Sequence, residues 1–367
     1  MTKIKNIEVH RVDLQLTRPY TIAFKTVDHV ENAVVKLILD NGIVGWGAGN
    51  PSEQVVGESL DQALKALGIA CNLPVHKDPW QRLLGRDIHD LAILCKEIQA
   101  HLPKNPAART ALEIALHDAY CQCLKIPLVQ YLGQKIESMP TSVTIGIKGV
   151  TETLAEADEY LALGFRILKV KLGNDLEEDI ERMVRLREQV GEHILIRVDA
   201  NQGYEVAGLH RFYQETKNCR LELIEQPLPV ADLEGLRGLP SDIKALIAAD
   251  ESLIGPGHAR LLAKSPGACG IFNIKLMKCG GITKALDIAE VAEKSGIHLM
   301  WGCNDESIIS IAAALHTAFA CARTRYIDLD GSFDLARDVV SGGFDLKDGV
   351  MSIKTGFGLG VLETGLV

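Results

Sequence analysis

The chain has 367 residues, 47% of them apolar and 24% charged, with a formal net charge of −9. That length accommodates a barrel of about 250 residues and a smaller second domain, while the acidic balance and the lack of a basic run exclude a nucleic-acid surface. No apolar segment reaches the roughly 18 residues of a membrane span, and the nine cysteines form no CxxC pair, so a zinc site is not expected and reduced thiols in a cytoplasm are.

The first residues, Met1-Thr-Lys-Ile-Lys-Asn, lead directly into a strand-like alternation over 4–16, with no signal-peptide core. Residues 33–39 and 43–47 flank Asp40-Asn41-Gly42, a hairpin turn signal. Residues 17–27 are too long for a tight turn and are expected to form a functional loop, and 49–53 a second one. Residues from 58 to 124 read as helical. Their clearest part, 106–124, carries Ala107, Ala111, Leu112, Ile114, Ala115 and Ala119 on a helix-period stripe. Asn105 is placed to cap it, with Pro106 in the first turn.

From residue 141 the pattern changes to short apolar runs ending in charged or amide residues. They cover 141–146, 167–171, 194–201, 221–226, 245–251, 271–275, 297–302 and 325–330. Runs of this kind read as buried parallel strands. Asp199, Glu225, Asp250 and Lys275 follow one another at intervals of 26, 25 and 25 residues, near the length of one β/α unit. Eight such units indicate an α/β fold, a (β/α)8 TIM-type barrel whose polar strand ends gather at its C-terminal face. The expected division is an N-terminal α+β capping domain over 1–130 and a catalytic barrel over 131–341. The Gly-rich stretch 342–367 is expected to return to the N-terminal domain.

Taken singly, a strand-end carboxylate serves as well for a helix cap or a lysine partner as for a ligand. Asp199, Glu225 and Asp250 together would repel one another unless a cation sat among them, and three hard oxygen donors suit Mg²⁺. Lys169 and Lys171 stand two apart on one strand and so face the same side. Buried lysine is rare, and neighbouring positive charge lowers an amine pKa, which suits a general base. Lys275 lies four strands further on, across an eight-stranded barrel, so the two sides offer one base to each face of a reacting carbon. Lys278 rivals it, but Lys275 follows Asn273 inside the strand pattern. Asp328 and Asp330 are again two apart and form a candidate seat for a cation, either metal or ammonium.

The set Lys169-Val-Lys171, Asp199-Ala-Asn201, Glu225-Gln-Pro, Asp250-Glu-Ser and Asn273-Ile-Lys275 resembles the enolase superfamily, in its muconate-lactonising-enzyme branch. The resemblance spans nearly the whole chain and includes Gly45-Trp-Gly47 and the segment from Ala111 to Asp118. Asp328-Leu-Asp330 further resembles the dipeptide epimerases of that branch, where the pair holds the substrate's α-ammonium. The resemblance implies one Mg²⁺ per subunit on Asp199, Glu225 and Asp250, polarising the carboxylate of a dipeptide's C-terminal residue and stabilising an enediolate. It implies proton transfer by Lys171 and Lys275 on opposite faces, with Lys169 adding positive charge. Asn201, Gln226 and Glu251 would support the carboxylates, and Thr144 is expected among the substrate contacts. A homo-oligomer, common in the family, is expected.

Two departures bear on the substrate. Members acting on L-Ala-D/L-Glu often carry an arginine in the N-terminal loop, where this chain has Lys25, a point charge without the guanidinium fork. Glu53 and Asp305-Glu306 place negative charge at the expected mouth, which favours a cationic dipeptide; Glu306 also reads as structural. Muconate cycloisomerase and o-succinylbenzoate synthase are rival readings, but neither needs the Asp328/Asp330 seat. A sugar-acid dehydratase would place a histidine where this chain has Trp301-Gly-Cys-Asn304, and His298 reads as a core residue. A barrel that only binds a small acid would have little use for two opposed lysines and three carboxylates.

Overall fold

The protein is described by a computed structural model over residues 1–22, 25–68 and 80–365, with the backbone alone described at 19–22, 25–27 and 81. The N-terminal sheet is antiparallel, β1 (Ile4–Ile22), β2 (Lys25–Leu39) and β3 (Val44–Gly49), in that order. Within the stretch expected as a loop over 17–27, residues 17–22 and 25–27 instead continue the two strands of a long hairpin. Tyr20 pairs with Val27 and Ile22 with Lys25, after a register shift between Gln15 and Tyr20. Such a shift absorbs extra residues on one strand without ending the ladder, which is why it reads as loop in the sequence.

The helix Pro106–Leu124 lies against β3. Gly45, Gly47 and Gly49 share one face of the strand. A Cβ on them would stand 2.3 Å from the Ala115 carbonyl oxygen, 1.8 Å from that of Ala111 and 2.3 Å from that of Ala107. The strand therefore carries no side chain on that face, because the helix backbone occupies the space. Its N-terminus is capped differently from the sequence expectation: Asn105 makes no side-chain cap. The buried Glu58 does so, accepting from Ala107 N–H at 2.7 Å, Ala108 N–H at 3.4 Å and Asn105 Nδ2 at 2.9 Å. A full carboxylate satisfies the orphan N–H groups and the helix dipole together.

After the short β4 (Ser138–Pro140) come eight parallel strands: β5 (Val143–Ile145), β6 (Ile167–Lys171), β7 (Leu195–Asp199), β8 (Leu223–Glu225), β9 (Ile247–Ala249), β10 (Ile271–Ile274), β11 (His298–Gly302) and β12 (Thr324–Asp328). They pair in sequence order from β5 to β12. A parallel bridge between Thr141 and Ile327 joins the two ends, supported by Ser142 N–H donating to Ile327 O at 3.3 Å. Helices such as Val150–Ala162, Leu176–Val190, Ile282–Ser295 and Ile308–Ala320 connect them. Leu223, Ala248, Ile271, Met300 and Tyr326 form a separate apolar cluster. They come from the barrel strands, and four precede the polar strand ends by two residues, so they share the inward face one layer below the site.

Four more strands follow: β13 (Val340–Gly342), β14 (Phe344–Lys347), β15 (Val350–Ile353) and β16 (Val361–Glu363). The β14–β15 hairpin adds to β4, and β13 pairs with β16. Between β15 and β16 Leu359 N–H donates to Asp118 Oδ1 at 2.8 Å, and at the end of β16 Glu363 pairs with Lys36 at 2.9 Å, so this end of the chain touches the N-terminal helix and sheet. Among the described residues no helix is long and apolar enough to cross a membrane.

Candidate active site

Parallel pairing aligns the polar strand ends. Lys171 lies opposite Asp199 and Asp199 opposite Glu225, while Asp250 stands one residue beyond β9 and Lys275 one beyond β10. Asp199 and Glu225 are fully buried, and Asp250, Lys169, Lys275 and Lys278 nearly so. Asn201 and Gln226, each just past a carboxylate strand end, have φ of 41° and 34°. Left-handed backbone at non-glycine residues is costly and clusters at functional sites.

Lys169 Nζ lies 2.7 Å from Asp328 Oδ2, 2.8 Å from Glu225 Oε2 and 3.3 Å from Asp199 Oδ2. Lys171 Nζ donates to Asp199 Oδ2 at 2.6 Å and Asn201 Oδ1 at 3.2 Å. On the opposite wall Lys275 Nζ lies 3.0 Å from Asp250 Oδ2. Lys278 binds the same carboxylate and also the Asp250 carbonyl at 2.6 Å. Its donors are therefore committed to the loop, whereas the Lys275 stem crosses Gly302 of β11, where an added Cβ would meet Lys275 Cε at 3.1 Å.

The charge balance differs from the expectation of two ammoniums lowering each other. Burial disfavours the Lys169 ammonium, but Asp328, Glu225 and Asp199 together outweigh it and hold its pKa well above the usual value. Burial likewise opposes the Lys275 ammonium, and Asp250 and Glu225 reverse that. Lys278 is lowered, chiefly by burial. Glu225 is the carboxylate least compensated: burial and the charge of Asp199 push it up to about 8. Its Oε2 has no well-formed hydrogen bond despite the nearby ammonium, while Oε1 accepts from Asn273 Nδ2 at 2.8 Å. Three converging carboxylates, one of them under-compensated, fit a divalent cation with hard oxygen ligands such as Mg²⁺.

The supporting amides occupy defined positions. Gln226 Oε1 accepts from Asp250 N–H at 3.0 Å and Ser252 N–H at 3.1 Å, tying two carboxylate loops together. Asn201 Nδ2 reaches Glu251 Oε1 at 3.2 Å, and Glu251 Oε2 is buried without a hydrogen-bond partner.

Asp328 and Asp330 do not behave as one pair. Asp328 is buried and accepts from Ser142 Oγ at 2.6 Å as well as from Lys169. Against the effect of burial, Lys169 holds it down at about 2. Asp330 accepts from the Thr144 backbone N–H at 2.8 Å, and burial together with Asp328 pushes it up to about 7. Thr144 thus joins the site through its backbone. The Ser142 link, which the sequence reading missed, continues to the buried Arg197, whose Nη1 lies 3.1 Å from Ser142 Oγ and whose Nε lies 2.7 Å from Glu222 Oε2. Its only sequence signal was a charged residue at an inward strand position.

The proposed mouth residues are more dispersed. Glu53 opens the exposed helix Glu53–Val56. Its loop meets the loop of Asp305 through Asn304 Nδ2 donating to Asn50 Oδ1 at 3.3 Å. Glu306 is buried and accepts from Asn304 N–H at 2.8 Å, which makes it a structural member of its own loop. His298 opens β11, at the end of the strand away from the site. The Lys25 side chain lies outside the described residues.

Sequence comparison agrees with this arrangement. The family model for the mandelate racemase / muconate lactonizing enzyme N-terminal domain matches residues 6–133, and that described as enolase C-terminal domain-like matches residues 152–362. The chain belongs to the mandelate racemase / muconate lactonizing enzyme family. Within that family it is similar to the L-Lys-D/L-Arg epimerase of Methylococcus capsulatus, 52% identical over 98% of this chain and 99% of that protein. It is 33% identical to the L-Ala-D/L-Glu epimerase of Bacillus subtilis, over 100% and 98%. The crystal structure of the Methylococcus capsulatus dipeptide epimerase complexed with Mg and the dipeptide L-Arg-D-Lys superposes with a TM-score of 0.94, covering 98% of this chain and 99% of that one.

Proposed function

We propose that this family member is a magnesium-dependent dipeptide epimerase that inverts the α-carbon of the C-terminal residue of dipeptides with cationic side chains. The carrying observation is the placement of Lys171 and Lys275 on strand ends four apart in an eight-stranded barrel, with Asp199, Glu225 and Asp250 converging between them. Asp199, Glu225 and Asp250 hold Mg²⁺ in this reading, and polarisation of the substrate carboxylate is the chemistry it supplies when bound.

Lys171 and Lys275 exchange the α-proton on opposite faces. Lys275, kept as an ammonium beside Asp250, delivers a proton in the direction in which Lys171 removes one. Lys169 adds positive charge beside the substrate carboxylate. Asp330 and Asp328 receive the α-ammonium, with Asp330 the more available because Asp328 is already shared with Lys169 and Ser142. Asn201, Gln226 and Glu251 hold the carboxylate loops in place.

Two observations support the cationic preference. The relatives 52% identical to this chain are L-Lys-D/L-Arg epimerases, and Glu53 and Asp305 put acidic groups on loops joined by the Asn50–Asn304 contact. Electrostatic complementarity of this kind selects among partners more than it adds affinity. The free cysteines among the described residues fit a cytoplasmic setting. A separate core in the N-terminal sheet and helices supports a capping domain over 1–130 and a barrel over 131–341.

The test is deuterium uptake. The protein with Mg²⁺ and a mixed L,L-dipeptide library in D2O is expected to add one mass unit to dipeptides with lysine or arginine and little to acidic ones. Uptake confined to acidic dipeptides would overturn the side-chain preference. No uptake, with turnover of a cycloisomerase or synthase substrate, would overturn the reaction.

A further inference from the structure

A second cluster of metal-ligating side chains lies outside the barrel mouth. Cys95 sits on the helix Leu91–His101, and Glu113 and His117 sit one turn apart on the helix Pro106–Leu124. One ligand atom from each lies within 4.8 Å of the other two. All three residues are buried, Cys95 at 3%, Glu113 at 0% and His117 at 5% exposure. None has a part in the epimerisation described above.

The donor atoms are prepared. His117 Nδ1 lies 2.8 Å from the Glu113 backbone carbonyl. A carbonyl only accepts, so Nδ1 carries a proton, which leaves Nε2 as the ring nitrogen able to face a metal. Metal-binding imidazoles are commonly oriented by this kind of bond. Glu113 Oε1 accepts from Thr283 N–H at 2.5 Å, which caps the start of the helix Ile282–Ser295. Glu113 Oε2 has no hydrogen-bond partner, although the residue is fully buried. Helix capping explains the first oxygen. The charge of the buried Arg109 acts on Glu113, but its donors go to the carbonyls of Gly280, Leu102 and Cys279, so the second oxygen stays without a hydrogen bond in a place where that is costly.

We infer that Cys95, Glu113 and His117 form a zinc site with three protein ligands. Thiolate, imidazole and carboxylate are the donor types zinc takes. One thiolate and one carboxylate neutralise the two positive charges, which a buried site requires. The absence of CxxC spacing argued against zinc in the sequence, because these ligands come from two helices and are assembled only by their packing. Through Glu113 and Thr283 the ion would also fasten the N-terminal helices to the barrel helix Ile282–Ser295.

The test is metal analysis with a spectroscopic readout. Protein purified without chelator is expected to carry one zinc per chain in addition to any magnesium. Replacement with Co²⁺ is expected to give a thiolate-to-cobalt charge-transfer band in the near ultraviolet, which an all-oxygen magnesium site cannot give. Cys95→Ser should abolish the band and lower Tm, while Mg²⁺-dependent epimerisation per folded molecule stays unchanged. Glu113→Gln should weaken zinc retention in the same direction. The proposal is overturned if added Zn²⁺ or Co²⁺ does not bind with a thiolate band. It is equally overturned if the band survives Cys95→Ser and is lost in Cys303→Ser, which would place it at the barrel mouth. Neither outcome depends on which dipeptide the barrel turns over.

Discussion

At the barrel mouth seven ionisable side chains, Lys169, Lys275, Lys278, Asp199, Glu225, Asp250 and Asp328, share one buried volume. Along the seam where β3 meets the helix Pro106–Leu124, Gly45, Gly47 and Gly49 face the backbone of Ala107, Ala111 and Ala115. Both regions are sealed from water, but different forces set what each tolerates. At the mouth the constraint is charge: every ammonium has a carboxylate within contact, and removing one member strands another. At the seam the constraint is volume, since a single methyl group would overlap a helix carbonyl. A substitution of the partly exposed Lys171 at the mouth should therefore be read in rate, and substitutions at the seam in stability.

The sharpest test of that contrast is a pair of single changes. Lys171→Ala should lower kcat by roughly 10³-fold with little change in Tm, because its side chain is partly exposed and Asp199 keeps Lys169. A large fall in Tm with normal kcat per folded molecule would erase the distinction. Gly47→Ala should do the reverse, costing roughly 3 kcal/mol in chemical denaturation while the folded fraction keeps its kcat.

A third prediction extends the seam to pH. His316, on the helix Ile308–Ala320, accepts from Val129 N–H at 2.9 Å, and burial pushes its imidazole down to about 4. Above pH 6.5, its ordinary value, the ring is neutral in both folded and unfolded states and adds no slope. As the pH falls from there towards 4, the unfolded chain takes up a proton that the folded chain refuses. Stability should drop by up to ~3 kcal/mol over that window, and His316→Gln should remove that part of the slope in denaturation curves taken from pH 7 to pH 4. An unchanged slope in the variant would show that other groups carry it.

The smallest expected effect concerns the rim. Glu53→Gln and Asp305→Asn should each raise KM for lysine- or arginine-containing dipeptides by roughly tenfold or less, since partly solvated charge pairs are worth about 1 kcal/mol. With uncharged dipeptides both variants should match the parent. An equal loss on both substrate types would remove these residues from side-chain selection.

Much of the mouth was legible in the sequence because a β/α cadence converts intervals of 25 and 26 residues into adjacency at one end of a barrel. Asp199, Glu225 and Asp250 needed no tertiary information beyond that cadence. The seam was legible only as a motif: Gly45-Trp-Gly47 and the alanine-rich helix stood out, but their mutual approach is a property of packing. Glu58 was missed as a cap because it lies far from residue 106 in sequence, and the local Asn105-Pro106 signal pointed to a different solution. The divergence of Asp328 and Asp330 was likewise hidden, since it follows from Ser142 and Lys169 reaching one carboxylate and the Thr144 N–H reaching the other.

The most direct test of the two-lysine account is to follow each substrate diastereomer separately with the single variants Lys171→Ala, Lys275→Ala and Lys278→Ala. The assay uses D2O, Mg²⁺ and an L-Lys-L-Arg-type dipeptide together with its epimer. The account predicts that Lys171→Ala and Lys275→Ala each lose epimerisation by roughly 10³-fold or more, with surviving deuterium exchange confined to one diastereomer and opposite in the two variants, and with Lys278→Ala still epimerising. Full epimerisation by Lys275→Ala together with an inactive Lys278→Ala would contradict the account and move the second base to Lys278.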